Sequence, residues 1–165
     1  MVDVQKLEDI QEKLAKQIIL SQLDVSKIKR VAGFDVVFFG TQAVCAAIVF
    51  DAQTGEAIEK KYSVGTAPMP YIPGFLAFRE GPLIIQAYYD LENEPDVLLI
   101  DGHGIAHQKK CGLATYVGLE LSKPTIGVGQ NLLIGDIRDD KIFFGNELRG
   151  CVVKTRDFAR PVFVS

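Results

Sequence analysis

The chain is poor in the side chains that build disulfide frameworks and zinc sites. Its three cysteines, Cys45, Cys111 and Cys151, lie far apart and form no CxxC pair. An odd count without metal-site spacing predicts reduced thiols in a cytoplasmic protein. The two histidines, His103 and His107, have the helical spacing of four, but Gly102 and Gly104 disfavour a helix there and no HExxH glutamate is present. Neither a cystine scaffold nor a zinc helix is therefore expected.

Long apolar runs and an excess of positive charge are also missing. No stretch approaches the ~20 apolar residues of a membrane helix, and residues 1–5 lack the pattern of a signal peptide, so no membrane partner is expected. A net charge of −3 argues against a protein that coats nucleic acid non-specifically. A nuclease stays compatible with this charge if a local basic strip holds phosphate. Arg79, Lys109 and Lys110 are candidates for such a strip, and a solvated charged face is the ordinary alternative for the two lysines.

The hydrophobic patterning predicts one mixed α/β domain over residues 1–165. Steps of three and four predict a first helix over residues 4–20. Three strands follow with short turns between them, which predicts an antiparallel meander. A proline-rich loop at residues 66–74 then precedes alternating helices and strands. In chain order, these elements are strands 31–39, 43–51 and 57–64, a helix over 75–91 that Pro82 disrupts or begins, strand 97–100, helix 110–121 and strand 125–129; beyond residue 131, short apolar runs alternate with turns.

Three acids stand out against this layout. Asp35 lies mid-strand among apolar residues, Glu80 follows the proline-rich loop, and Asp101 ends a buried strand. Each has an ordinary interpretation taken alone: a salt bridge for Asp35, a favourable helix-dipole contact for Glu80 and a turn cap for Asp101. Together they form the hard-oxygen ligand set that Mg²⁺ or Mn²⁺ prefers, and such ions can clamp both reacting oxygens of a phosphodiester.

Five sequence blocks around these acids resemble the endonuclease V family, nucleases that act on deaminated bases and have an RNase H-like fold. The blocks occur in family order at residues 31–35, 71–80, 96–107, 111–114 and 124–128. The resemblance implies an RNase H-like mixed sheet with an antiparallel three-strand meander and flanking helices. It also implies hydrolysis of one phosphodiester beyond an inosine on its 3′ side, leaving a 3′-hydroxyl and a 5′-phosphate.

The resemblance assigns a metal site to the acids. Asp35 and Asp101 would hold Mg²⁺, with Mn²⁺ as a substitute, and Glu80 would complete the site. His107 would contact the scissile phosphate or position water. These four residues are the catalytic set that the resemblance implies.

The resemblance also assigns contacts to DNA or RNA that contains deaminated bases. Tyr71 would insert at the lesion and hold the strands apart, and Pro73, in the same Pro-Tyr-Ile-Pro wedge, would also contact the nucleic acid. Gly74, Gly102 and Gly104 would line the pocket for an everted hypoxanthine. An aromatic wedge of this kind offsets the few kcal/mol that unstacking a base requires.

The chain departs from the family pattern in its basic half. Gln130 stands where the family has a lysine that would stabilise phosphate charge. The sequence also stops after Ser165, where the family continues into a last helix, so we expect a shortened domain without that helix; Asp136, Asp139 and Asp140 are candidates to replace the ligand it carries. Two hypotheses follow: an active endonuclease with reduced activity, or a weakened homologue that binds deaminated or branched nucleic acid without efficient cleavage. The choice between DNA and RNA stays open, as does the oligomeric state, for which a homodimer covering apolar surface is one option.

Overall fold

A computed structural model describes residues 2–165 and shows one sheet with three α-helices. The helices are α1 (Val4–Ala15), α2 (Leu76–Tyr89) and α3 (Leu113–Leu121), and a short 3₁₀ turn spans Val25–Lys27. The strands are β1 (Arg30–Phe39), β2 (Gln42–Asp51), β3 (Ala57–Thr66), β4 (Val97–Asp101), β5 (Thr125–Gly129), β6 (Asp136–Arg138), β7 (Lys141–Phe144), β8 (Glu147–Val153) and β9 (Val162–Val164).

The strands form a single mixed sheet in the order β3-β2-β1-β4-β5-β9-β8-β7-β6. β1, β2 and β3 pair as an antiparallel meander, which confirms the prediction for this part of the chain. β4 then pairs parallel to β1, and β5 pairs parallel to β4. Three parallel strands, β1, β4 and β5, therefore lie side by side at the centre of the sheet, and β1 continues to Phe39 beyond its last pairing with β4 at Phe34.

Helices α2 and α3 cover one face of this sheet and bury its core. α2 packs on β1, β2 and β3, while α3 packs on β4 and β5. In β2, alternate residues from Ala43 to Val49 are buried, as expected for a strand with one face in the core. Leu83, Ile84 and Val117 supply the helix side of the same cluster. Packing on this face sets the position of α2, and so of the glutamate that it carries.

Helix boundaries differ from the sequence prediction at three places. α1 ends at Ala15 rather than residue 20, because Ile19 and Leu20 are exposed and tertiary packing, which supplies most helix stability, stops there. α3 begins at Leu113 rather than residue 110, since Lys110 adopts a positive φ that is incompatible with a right-handed helix. Pro82 lies inside α2, where burial of the flanking apolar face offsets the lost hydrogen bond.

The last third of the chain extends the sheet by four strands that the sequence pattern did not resolve. β9 pairs with β5, and β8, β7 and β6 follow outward in antiparallel pairs. β6 therefore forms the outer edge, four positions from β5 in the strand order. Among residues 2–165 no helix is long and apolar enough to cross a membrane.

Candidate active site

Two aspartates meet where β1 and β4 run side by side. Phe34 is paired with Ile100 in the parallel register, so the next residues, Asp35 and Asp101, are neighbours across the two strands. Burial and the negative charge of Asp35 raise the pKa of Asp101 above its usual value. Both residues line an open cavity of about 710 Å³ beside the sheet. The strand-borne half of the predicted acidic site is therefore brought together.

Glu80 approaches this pair from the helix side. It lies on α2 and is only 9% exposed. Burial raises its pKa to about 7, and the charges of Asp35 and Asp101 act in the same direction, while Arg79 opposes them. A buried acid with this surrounding is costly to ionise unless a cation joins it.

The donor chemistry of the three acids fits a hard divalent cation, and their present spacing is looser than a ligand shell. Within residues 2–165, no Lys or Arg lies within ion-pair distance of Asp35, Glu80 or Asp101. Over the same residues, no three His, Cys, Asp or Glu side chains are close enough to hold an ion as they stand. Asp35 raises the pKa of Asp101 partly through a direct side-chain contact, whereas Glu80 is coupled to the two aspartates through charge alone. The three acids therefore fit a cation by their donor chemistry, with Asp35 and Asp101 as the pair already in contact.

Gln130, which directly follows β5, is a polar neighbour of the acid pair. Its amide donates to Asp101 Oδ2 at 3.4 Å, and it lines the same cavity. This contact lowers the pKa of Asp101, against the larger effect of burial. Gln130 stands where the family motif has a lysine. It therefore contacts Asp101 of the acid pair through a neutral amide instead of a cation.

Replacing Glu80 by glutamine should make the cation-free protein more stable at alkaline pH. A pKa raised from 4.5 to about 7 means that the folded state binds the proton more tightly than the unfolded chain. The contribution of Glu80 to stability is therefore greatest below pH 4.5 and is lost as the pH rises to about 7. The glutamine of Glu80→Gln does not ionise, so this variant does not lose that stability as the pH rises.

Thermal unfolding in EDTA across pH 5 to 8 measures this difference. The midpoint of Glu80→Gln should exceed that of the unmodified chain at pH 8, and the gap should narrow toward pH 5. Glu56→Gln, at an exposed turn position, is the matched control and should follow the unmodified chain. Parallel curves for all three proteins would show that Glu80 ionises normally.

A buried hydrogen-bond clasp fastens the proline-rich loop to the rest of the site. Gln11, 1% exposed on α1, donates to the carbonyl oxygens of Gly74 at 2.9 Å and Cys111 at 3.1 Å. His107 Nε2 lies 2.9 Å from the same Gly74 oxygen, and the backbone N–H of Lys109 donates to His107 Nδ1 at 3.2 Å. Gly74 has φ +86°, which favours glycine at the fastened position.

His107 is therefore a neutral, buried partner of the loop in this structure. It is 4% exposed, and burial lowers its pKa. Both ring nitrogens already have partners, one in Gly74 and one in Lys109. A direct contact with the scissile phosphate stays a prediction, and it would require the ring to leave these partners.

Sequence reasoning missed Gln11, although a signal for it existed. The residue lies in register with Leu7 and Leu14 on the apolar stripe of α1, at steps of four and three. A polar side chain on such a stripe is buried and needs hydrogen-bond partners. The partners are far away in sequence, so the pattern alone could not name them.

Replacing Gln11 by leucine should loosen the proline-rich loop without unfolding the sheet. The change removes both donors and leaves two buried carbonyls with one fewer partner, a loss of about 1–3 kcal/mol. Amide hydrogen exchange should accelerate at residues 72–76 and around Cys111, while β1 and β4 keep their protection. Gln5→Leu removes an exposed glutamine from the same helix and should change neither region. Unchanged exchange in Gln11→Leu would show that the clasp does not hold the loop.

The exposed part of the loop carries the two residues predicted to contact nucleic acid. Tyr71 is 65% exposed, and Pro73 is also exposed. Arg79 supports the loop, because it donates to the carbonyl of Met69 at 2.6 Å while its guanidinium lies 4.0 Å from the ring centre of Phe38. The exposed tip of the proline-rich loop therefore projects from a segment that Arg79 and the buried hydrogen-bond clasp hold in place.

The two glycines after Asp101 have packing roles in this structure. Gly102 is buried and bonds to Val128 of β5. At Gly104, a Cβ would lie 2.6 Å from the carbonyl oxygen of Ser165, and the Gly104 N–H donates to Ser165 Oγ at 2.9 Å. Close approach of the chain end therefore explains the glycine at 104. Their predicted contact with an everted base stays a prediction.

The three cations of the candidate basic strip have partners within the fold. Lys109 pairs with Glu12, Lys110 pairs with Glu147, and Arg79 is engaged in the loop. The proposed replacement acids are misplaced. They lie on β6 and its turn, at the outer edge of the sheet and distant from β1 and β4: Asp136, Asp139 and Asp140.

The fold and the acid pair define the class of protein. A meander followed by parallel strands, with aspartates on adjacent strands next to an open cavity, is an RNase H-like arrangement. A family model described as Endonuclease V matches residues 12–165. An Endonuclease V from Geotalea uraniireducens is 39% identical over 99% of this chain and 73% of its own length. The chain belongs to the endonuclease V family.

Solved structures agree with this assignment. The Endonuclease V of Bacillus subtilis superposes with a TM-score of 0.89 at 38% identity, covering 100% of this chain and 76% of that one. The Ciona intestinalis Endonuclease V, crystallised with a 24mer DNA containing an inosine followed by a ribo-adenosine, gives a TM-score of 0.86 at 25% identity over 98% of this chain and 82% of that one.

Proposed function

We propose that this chain is a divalent-metal-dependent endonuclease that hydrolyses a phosphodiester on the 3′ side of a deaminated base, inosine, in DNA or RNA. The observation that carries the proposal is the pair Asp35 and Asp101. Two neighbouring carboxyls without a cationic partner among residues 2–165 border a cavity that is large enough for a nucleotide. Family membership and the inosine-containing DNA bound to the Ciona relative support the substrate class. Residues 1–165 would act as one endonuclease V-like domain.

Asp35, Asp101 and Glu80 would hold Mg²⁺, or Mn²⁺ in its place. When bound, such a cation lowers the pKa of water and neutralises charge on the phosphate. Glu80 must give up its proton to serve as a ligand, and its pKa of about 7 places that change close to neutral pH. Deprotonation of Glu80 would therefore be the step that makes its carboxylate available to the cation.

The polar groups around the acids would orient the substrate. Gln130, whose amide lies beside Asp101, would donate to a phosphate oxygen of the substrate. Tyr71 and Pro73 would enter the duplex beside the lesion, and the clasped Gly74 would line the base pocket together with Gly102 and Gly104. An exposed aromatic on a fastened loop can stack in place of an everted base without first being ordered.

Incision of a 5′-labelled strand tests the proposal. A strand with one inosine, and its adenine-containing control, are incubated with Mg²⁺, Mn²⁺ or EDTA. We expect one product, cut one phosphodiester beyond the inosine with a 3′-hydroxyl end, only with inosine and only with a cation. The same strand made of RNA tells which nucleic acid is preferred. Equal cutting of both strands, or cutting in EDTA, would overturn the proposal.

A homologue that binds such strands without efficient cleavage is the second candidate. The observation in its favour is Gln130, a neutral donor 3.4 Å from Asp101 where the motif has a lysine. In the same assay this candidate predicts a gel shift of the inosine strand and no product with either cation.

A further inference from the structure

The segment that joins β8 to β9, residues 154–160, carries cations that the fold does not use. We call it the basic loop. It contains Lys154, Arg156 and Arg160 and a single acid, Asp157. Within residues 2–165, none of the three cations has an ion-pair partner, in contrast to Lys109 and Lys110. Their positive charge is therefore available to a ligand.

The aromatic side chain at the tip of the basic loop, Phe158, does not pack against the rest of the protein. Phe158 is fully exposed and has φ +62°. A bulky residue in the left-handed region is strained, and an exposed phenyl ring gains nothing from the hydrophobic effect. A strained backbone conformation that no packing within the protein offsets is typical of residues that contact a ligand.

The basic loop borders the candidate active site. Arg160 lines the 710 Å³ cavity together with Asp35 and Asp101, and Pro161 and Val162, which follow the loop, line it as well. β9 then pairs with β5, which holds this end of the loop next to the acid pair. A nucleic-acid strand bound at Asp35 and Asp101 would therefore lie next to the basic loop.

Cations with an exposed aromatic between them match the chemistry of single-stranded nucleic acid. Lysine and arginine contact phosphates independently of sequence, and an aromatic ring stacks on any base. We propose that the basic loop binds an unpaired stretch of nucleic acid beside the cavity, with Phe158 stacked on a base and Lys154, Arg156 and Arg160 on the phosphates. This inference rests on the proposed function for the substrate class, and it adds a contact surface separate from the proline-rich loop.

A tryptophan placed at position 158 reports stacking directly, because the chain has no other tryptophan. Phe158→Trp is titrated with an undamaged single-stranded DNA 12-mer in EDTA, so that no cleavage occurs. We expect quenched, blue-shifted or red-shifted emission with a saturable dependence on strand concentration. Tyr89→Trp, exposed at the end of α2, is the matched control and should not respond.

Phe158→Gly tests the energy of the contact without endangering the fold, because glycine accepts the positive φ. Its thermal stability should equal or exceed that of the unmodified chain, and its affinity for the 12-mer should fall about tenfold. Arg156→Gln should reduce the slope of log affinity against log salt by about one.

The outcomes separate this inference from the proposed function. Incision at inosine with unchanged affinity in Phe158→Gly and no change in the introduced tryptophan's emission would overturn only the basic loop's role. A quenched tryptophan without incision at inosine would overturn only the nuclease. Absence of any strand binding by the unmodified chain would overturn both.

Discussion

Asp35→Asn should lower the rate of incision at inosine by at least about 10³-fold, because several kcal/mol of charge stabilisation depend on the cation that this residue would hold. The substitution keeps the shape of the side chain and removes its charge. Single-turnover incision in Mg²⁺ measures the effect. Binding of the strand, measured by gel shift on the same samples, should be retained or tightened, since one negative charge near the phosphates is lost.

Asp136→Asn is the matched control for that experiment. Its carboxylate is exposed at the outer edge of the sheet, so the rate of incision should not change. A rate in Asp35→Asn equal to that of the unmodified chain would place the cleaving group elsewhere. Loss of strand binding together with incision would indicate a folding defect, which the melting curve of the variant would detect.

Gln130→Lys should raise the single-turnover rate of incision by about 10²-fold. A cation at this position can stabilise charge that develops on the phosphate, and removal of one such donor typically costs 10²–10³-fold. Gln130 already reaches Asp101, so a lysine there is within range of both the acid pair and the substrate. The gain should lie in the chemical step, with strand affinity changed much less.

Two controls distinguish this effect from a general gain in charge. Asn131→Lys adds the same charge at the next cavity-lining residue and should raise affinity without a comparable gain in rate. Gln130→Met removes the donor at similar length and should slow the reaction. Equal rates in Gln130→Lys and the unmodified chain would mean that the amide already performs the role, or that no charge develops near it.

The meander, the central strands and the two aspartates could be predicted from local patterns. β1 and β2 are largely apolar runs, β1, β2 and β3 are separated by clear turns, and the strand before Asp101 is a short aliphatic run. Asp101 is predicted at the edge of the sheet because it ends a strand, where open α/β sheets place their chemistry. Asp35 is predicted from a different signal, a charge among the apolar residues of a strand. The parallel pairing of β1 with β4, which the sequence alone does not show, is what places Asp35 beside Asp101.

The errors come from contacts that are distant in sequence. Lys109 and Lys110 resembled a free basic strip because their acidic partners, Glu12 and Glu147, are 97 and 37 residues away. Local pattern carries no information about such pairs. The basic loop, by contrast, carries three cations without an ion-pair partner among residues 2–165. Of its two neighbouring strands, the short β9 could be placed only through its pairing with β5, and β8 through its pairing with β9.

Binding of Mn²⁺ in the absence of nucleic acid tests the central claim most directly, namely that Asp35 and Asp101 form a cation site. Free Mn²⁺ can be followed by electron paramagnetic resonance during titration of the unmodified chain, Asp35→Asn and Asp136→Asn. We predict a site in the unmodified chain and in Asp136→Asn whose affinity falls at least tenfold in Asp35→Asn. Equal binding by all three proteins would contradict the account.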